Sequence, residues 1–460
     1  MIKYILISSL LLSVNTHAKR NKTKKNQKKI TKKSNWSHQE TVGLEMRKFS
    51  DDSNDSTQNS NIAFTAGTLT QYKKKHLHGL IDLHLKYDPT DNNRNLLNIK
   101  NMYISQGFGS GPQESFEDDL FADELGIDLK EELKTEEAED TLSVILLAGF
   151  KTYHWTNMYT FSPADSINSH IYDGEFENNY KKGELSLALT KKYENGSITG
   201  YFFPRIEKPF YSKKHSQTSY GFNFEEPVWL KKNNNVSDSS NSIQAGIRWE
   251  HQTEKTDYAI HYIKHTNRDA PIIAYDSTKN TFTPNYFEST EIGILTQFRG
   301  TNKKFKFETA VRSYSEFEDI ETIYGDRKPE NHMVQALGYD QTKKFKSGKA
   351  LKYIAEIQIV VGLEEEQKQE QYLYQSDLFL GLIYDFNNKR KGKLSTGLII
   401  DLERESEHIF TLQYDQNYRK KWKFSSKVRV TNAPKTDDAI KGAQFFHNTN
   451  YLILDLSYLL

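Results

Sequence analysis

The stretch Leu351-Lys352-Tyr353-Ile354-Ala355-Glu356-Ile357-Gln358-Ile359-Val360-Val361-Gly362-Leu363 decides the fold. Its odd positions, Leu351, Tyr353, Ala355, Ile357, Ile359, Val361 and Leu363, are all apolar, whereas the even positions begin Lys352, Ile354, Glu356 and Gln358. Alternate side chains of a strand point to opposite faces, so this segment predicts a strand with one greasy and one charged face. Residues 77–87 repeat the pattern, setting Leu77, Gly79, Ile81, Leu83, Leu85 and Tyr87 against His78, Asp82, His84 and Lys86. Residues 372–386 place Tyr372, Tyr374, Leu378, Leu380, Leu382, Tyr384 and Phe386 on one side, with Asp377 and Asp385 opposite. Phe305, Phe307 and Val311 alternate with Lys304, Lys306, Glu308 and Arg312.

A soluble sandwich also alternates, with its apolar face in a core. Three features favour a barrel that crosses a membrane. The segments run to about 10–14 residues, enough to span a bilayer at a tilt, where soluble strands average about 5–6. Tyr, Phe and Trp recur near segment ends, as interfacial girdles require. The hydrophilic face carries more charge than a buried wall tolerates, so it is expected to face water. The 460 residues have a mean hydropathy of −0.76 and no apolar run long enough for a spanning helix, which excludes a helical membrane protein. The absence of Cys excludes a disulfide framework and any thiolate-held metal. Short turns at 194–196, 253–256, 300–303, 347–349, 387–392 and 418–421 alternate with connections at 207–240, 269–283, 318–331, 364–370, 405–406 and 431–444. All but the short connection at 405–406 follow the asymmetry of tight periplasmic turns and longer outer loops. The expectation is an all-β, antiparallel transmembrane β-barrel of about 18 strands, with both termini periplasmic.

The last ten residues place Leu452, Leu454, Leu456, Tyr458 and Leu460 on one face. This resembles the C-terminal strand of Gram-negative outer-membrane barrels, in which alternating apolar residues and a terminal aromatic are read by the barrel-assembly machinery. Leu460 stands here in place of the aromatic.

A second resemblance lies in residues 147–206. Ala148-Gly149-Phe150-Lys151 is followed by Trp155, by Phe161-Ser162-Pro163-Ala164-Asp165-Ser166-Ile167-Asn168, by Gly183-Glu184-Leu185, and by Gly200-Tyr201-Phe202-Phe203-Pro204. The block is similar to one found in porin-like outer-membrane proteins of largely uncharacterised function. Thr156 replaces a Gly of that pattern, and Ser169-His170 a Pro-Arg. The resemblance implies a loop after Lys151, over 153–182, that folds inward and lines or narrows the lumen. Pro163 and Asp165 favour a turn, Asn168 can bond backbone groups, and Trp155, Tyr159 and Phe161 can anchor the loop to the wall. A loop packed across the barrel mouth is the other reading of the same residues.

The net charge of +1 is a sum of unlike parts. Residues 1–18 read as a signal peptide, with Lys3, an apolar stretch and Thr16-His17-Ala18. Residues 19–35 form a basic, disordered leader, either a polyanion-binding arm or a solvated spacer; 9 of the 15 residues from Lys19 to Lys33 are basic. Within an acidic insertion at 107–140, residues 114–140 hold 13 acids against 2 Lys. Residues 36–460 make the barrel.

Assigning the polar strand faces to the lumen gives basic candidates Lys304, Lys306, Arg312, Lys352, Lys423, Lys427 and Arg429. The acidic candidates include Asp82, Glu184, Glu250, Glu308, Glu356, Asp377, Asp385 and Asp401. These charges either line a water path of no strong ion preference or brace the wall by pairing across strands. No catalytic grouping, metal site or cofactor motif emerges; His78 and His84 stand roughly 20 Å apart on one strand. The function expected is passage of a small hydrophilic solute, by a chain whose partners are outer-membrane lipid and the assembly machinery and not nucleic acid. The alternative is a structural or recognition barrel plugged by its own loops.

Overall fold

The computed structural model describes residues 35–460 except 51–58, 110–142, 174–179, 213–215, 217–222, 240–241, 388–389, 405–406, 419–420, 434–443 and 445–449. The signal peptide, the leader (apart from residue 35) and the acidic insertion (apart from residues 107–109) therefore lie outside the described residues.

Among the described residues, 18 antiparallel strands form one closed barrel. The first five are β1 (Trp36–Phe49), β2 (Ser60–Lys74), β3 (Leu77–Tyr87), β4 (Leu96–Phe108) and β5 (Val144–Lys151). They are followed by β6 (Glu184–Tyr193), β7 (Gly196–Phe203), β8 (Gln244–Gln252) and β9 (Thr256–Thr266). Next come β10 (Thr281–Arg299), β11 (Lys303–Tyr314), β12 (His332–Lys344) and β13 (Ala350–Val361). The wall ends with β14 (Ser376–Asp385), β15 (Lys393–Asp401), β16 (His408–Tyr418), β17 (Trp422–Asn432) and β18 (Tyr451–Leu459). Each strand pairs with the next, and β18 returns to β1 in the register Phe49↔Tyr451 through Thr41↔Leu459.

Closure follows from the solvent. In hydrocarbon no water is available to an unpaired N–H or C=O, so a sheet can cross a membrane only without an edge. The alternation then sorts itself: Leu337, Ile359, Leu382, Leu412 and Leu456 lie exposed on the outer face. The final strand turns Leu452, Leu456 and Leu460 outward, while Tyr451 and Ile453 are buried within. No helix among the described residues is long and apolar enough to cross a membrane.

Connections sort by end. Turns at 75–76, 194–195, 253–255, 300–302, 345–349, 386–392 and 419–421 share the periplasmic end with the start of β1, the end of β4 and the start of β5. Longer links at 88–95, 152–183, 204–243, 267–280, 315–331, 362–375, 402–407 and 433–450 share the outer end. Gly348 has φ +80° in the β12–β13 turn, where an L side chain is strained. At Gly183 a Cβ would lie 2.5 Å from the Lys100 carbonyl, so only Gly lets the chain re-enter β6 against β4.

Three expectations are corrected. The apolar series 372–386 is not one strand: β14 begins at Ser376, and Tyr372 is a buried residue whose hydroxyl receives Arg312 Nη1 at 2.7 Å. Residues 364–370 are no plain connection but hold most of a short helix, α1 (Glu365–Gln371). The link at 405–406 is longer than read, running from 402 to 407.

Ile294 faces outward on β10, six residues from Glu288 and four from Phe298, near mid-bilayer. Ile294→Arg should cost about 2–4 kcal/mol, the midplane cost of Arg on a lipid face. Reversible unfolding in lipid vesicles measures it; a cost near zero would contradict the lipid-facing assignment.

Candidate functional site: a loop clamped inside the barrel

Residues 152–183 leave β5 and return to β6 at the outer end, but between those points the chain descends into the barrel. Two inward-facing wall carboxylates hold it. Glu356 on β13 accepts from the backbone N–H groups of Tyr159 at 2.7 Å, Thr160 at 2.9 Å and Phe161 at 3.3 Å. Glu308 on β11 accepts from the Asn157 N–H and from Thr156 Oγ1, the latter at 2.8 Å. A carboxylate is acceptor-only, with about four lone-pair sites, and an irregular loop carries N–H groups that no ladder satisfies. Each side supplies what the other lacks. Beside this clamp the Tyr159 ring lies between Lys306 and Lys352, each Nζ 4.4 Å from its centroid. Asp340 pairs with both lysines, at 3.6 Å and 2.8 Å, and Tyr159 stays 46% exposed.

The root of the loop is tied by its own side chains. Asn168 accepts from Tyr153 N at 2.7 Å and donates to the carbonyls of Lys151 (3.0 Å) and Lys182 (2.8 Å), joining outgoing and returning strands. Asp165 accepts from Trp155 N at 3.0 Å and pairs with Lys181 at 2.6 Å. The Pro163 carbonyl accepts from Arg312 Nη2 at 3.0 Å. Trp155 is buried with Tyr153, Ile167, Phe203 and Ile263, under the Arg248 guanidinium at 5.0 Å. Phe161 is buried with Met158, Ala336, Ile399 and Ile409, which carries the loop from the β5–β6 side to β12, β15 and β16. Thr156 and Ser169, which depart from the family pattern, both bond wall carboxylates here; Ser169 N reaches Glu184 Oε1 at 3.2 Å.

The charged wall is not hydrated as expected. Glu291 on β10 accepts from Ser166 Oγ at 2.7 Å and Arg312 Nε at 2.9 Å, with His261 Nε2 3.1 Å away. Arg312 also reaches Asp269 at 2.6 Å. At the mouth Arg94 binds Asp88 at 2.7 Å, Glu45 at 2.6 Å and Asp173 at 2.8 Å. Apart from the half-buried Asp269 these groups are almost fully buried, and they are tolerated because each is paired and bonded. Burial alone would raise the Asp173 carboxyl, but the Arg94, Lys86 and Arg47 charges outweigh it and hold it well below the usual range.

The remaining candidates divide by depth. Lys304 is exposed near the periplasmic end, Lys423 is half-buried, and Lys427 and Arg429 are buried, Arg429 lying 4.2 Å over the Tyr451 ring. Asp377 is buried beside Asp401 in the β14–β15 register. Asp385 and Asp401 sit at strand ends and bond turn backbone: Asp385 accepts from Asn387 N at 2.7 Å, Asp401 from Arg404 N at 2.8 Å. His84 lies 3.0 Å from Asp82. Among the described residues no three His, Asp or Glu groups are placed to hold a metal ion. Toward the periplasmic half, by contrast, Ser395, Gln413, Ser425, Ser457 and Thr41 are small or neutral, inward-facing and half-buried. Sequence reading missed Glu291, Asp340, Lys181 and Arg94. Cross-strand register places Glu291 opposite Arg312, but register is not written in any one strand.

No family model matches this chain, and no curated protein matches it. Among solved structures it is similar to Wzi, an outer-membrane protein involved in group 1 capsule assembly in Escherichia coli and a carbohydrate-binding β-barrel. The identity there is 8%, over 92% of this chain and 84% of that one, with a TM-score of 0.49. It is also similar to Pseudomonas aeruginosa OccK11 (OpdR), at 8% identity over 92% and 96% of the two chains and a TM-score of 0.46. For OccK5 (OpdH) of the same organism the values are 11%, 93%, 98% and 0.45. The closed wall, its outward apolar stripe and its asymmetric connections define the chain as an antiparallel transmembrane β-barrel of 18 strands.

Two outcomes follow. Glu356→Ala removes the acceptor of three loop amides, each worth roughly 1–3 kcal/mol when left unsatisfied. Hydrogen exchange at residues 159–161 should accelerate by about 10–100-fold while the wall keeps its protection. For Asp173, a folded-state pKa below the unfolded value means stabilisation that is present at neutral pH. It is lost as pH falls below about 4 toward the folded pKa. Asp173→Asn should flatten that acid slope of stability; an unchanged slope assigns it to other groups.

Proposed function

We propose that this barrel is a narrow aqueous channel for small hydrophilic solutes, its bore set by the inward loop. One observation carries the reading: the loop is clamped at mid-depth by Glu308 and Glu356, while on its periplasmic side half-buried polar residues, Gln413, Ser425 and Ser457 among Asp415, Lys423 and Asp455, face the interior. A loop held by buried carboxylates is a fixed constriction, and half-buried polar and charged side chains beyond it are those that water can solvate. Tyr159, Lys306 and Lys352 form the rim that a solute meets. In this reading residues 1–18 direct export, the terminal strand Leu452–Leu460 serves assembly, and catalysis has no part.

A second reading has its own support. Arg94 and Arg312 are nearly inaccessible beneath the outer connections, as a mouth closed for recognition or structure requires. The capsule-assembly barrel named above is a carbohydrate-binding protein, and a surface role of that kind is the alternative for this chain.

Planar-bilayer recording decides between them. Folded protein should give discrete open-channel current, and replacing residues 156–162 with a short Gly-Ser turn should raise conductance at least about twofold if the loop sets the bore. Silence from folded protein rejects the channel. An unchanged conductance after loop replacement rejects the loop as its constriction.

A further inference from the structure

The two ends of the barrel differ in what meets their exposed cations. At the outer end Lys208 pairs with Glu226 at 2.9 Å, Lys264 with Glu288 at 3.0 Å, Lys279 with Asp276 at 3.3 Å and Arg327 with Glu370 at 2.9 Å. At the periplasmic end the seven short turns, each taken with two strand residues on either side, hold 17 Lys or Arg against 4 Asp or Glu among the described residues. Lys74, Lys75, Lys303, Lys343, Lys346 and Lys349 are exposed there, and none of them forms an ion pair among the described residues.

Hydrogen bonds join several of these turns into an arc. Asn302 O accepts from Thr342 N at 2.9 Å, and Arg390 O accepts from Asn417 N at 2.7 Å. Gly348 packs against the Asn387 side chain, which links the two pairs of turns. Adjacent strands are about 4.8 Å apart, so adjacent hairpin turns are about 10 Å apart, roughly a Debye length at ordinary salt, and their cations repel. Depth is given by the aromatic girdle. Lys421 Nζ lies 5.4 Å from the Tyr458 ring centroid, and Arg390 Cζ lies 5.5 Å from that of Tyr418. Tyr458 faces outward with Trp422, their ring centroids 4.7 Å apart. Outward Tyr and Trp at strand ends sit at the headgroup level, so cations resting on them stand where lipid phosphates are.

We infer that this cationic arc binds the phosphate groups of anionic phospholipid in the leaflet at the periplasmic end. A soluble polyanion would be met along the barrel axis, whereas these cations flank the lipid-facing girdle. A zwitterionic headgroup brings its own cation and leaves the arc's charge in place. An anionic headgroup neutralises it, and each Lys or Arg near the surface adds to the attraction. The inference rests on the barrel's place in the membrane and holds whether or not the barrel conducts.

Native tryptophan reads the outcome. Trp36 and Trp422 are exposed at this end, where acyl chains carrying bromine quench them on contact. In mixed vesicles, brominated phosphatidylglycerol should bind the full chain at least about threefold more strongly than brominated phosphatidylcholine. Lys74→Gln, Lys75→Gln, Lys303→Gln, Lys346→Gln and Lys349→Gln, combined in one variant, should bring that ratio close to one. These exposed positions lie outside the apolar wall, so the barrel should stay folded. Lys208→Gln, Lys264→Gln and Lys279→Gln, combined at the outer end, should leave the ratio unchanged. No preference in the wild type, whether a soluble polyanion such as polyglutamate or the acids of residues 114–140 meet the arc instead, would overturn the proposal. So would a preference that survives the five-lysine variant, or one lost equally in the outer-end variant.

Discussion

A backbone that crosses hydrocarbon must satisfy every N–H and C=O from within its own chain. Here that requirement is met by the return of β18 to β1, from Phe49↔Tyr451 to Thr41↔Leu459, which removes the last open edge. Everything else depends on that closure. It fixes which face of each strand meets lipid, converts a twisted sheet into a wall with an interior, and brings strands distant in sequence to one enclosed space.

The enclosed space is then filled by matching deficits. Glu308 and Glu356 are buried acceptors, and the loop at 156–161 carries donors with no ladder. Together they make a fixed structure where either alone would be costly. Glu291, Arg312, Asp269 and Tyr372 form a second such set, drawing on β10, β11 and two outer connections. Toward the outer end the interior is bound together by fully buried ion pairs, and toward the periplasm its polar side chains are half-buried.

Much of the wall was legible from the sequence. Period-two alternation in residues 351–361 predicts which side chains of β13 face lipid, because the pleat leaves no other choice once one face is greasy. The same rule failed at Tyr372 and Tyr374, where the parity continues but the chain has not yet entered the strand; Tyr372 is buried against Arg312 and His332 instead. Parity assigns a face, and only tertiary contacts say whether the residue is in the sheet.

The sequence by itself determined the class of solution: long amphipathic strands, an even barrel and short turns on one end, since these follow from local periodicity and length. Only the tertiary structure decided what the interior does. Whether Glu356 meets water, a lysine or the amides of Tyr159, Thr160 and Phe161 depends on where a loop about 195 residues earlier in the chain comes to rest. That position is set by hydrogen-bond complementarity between segments far apart in sequence, which no local pattern encodes.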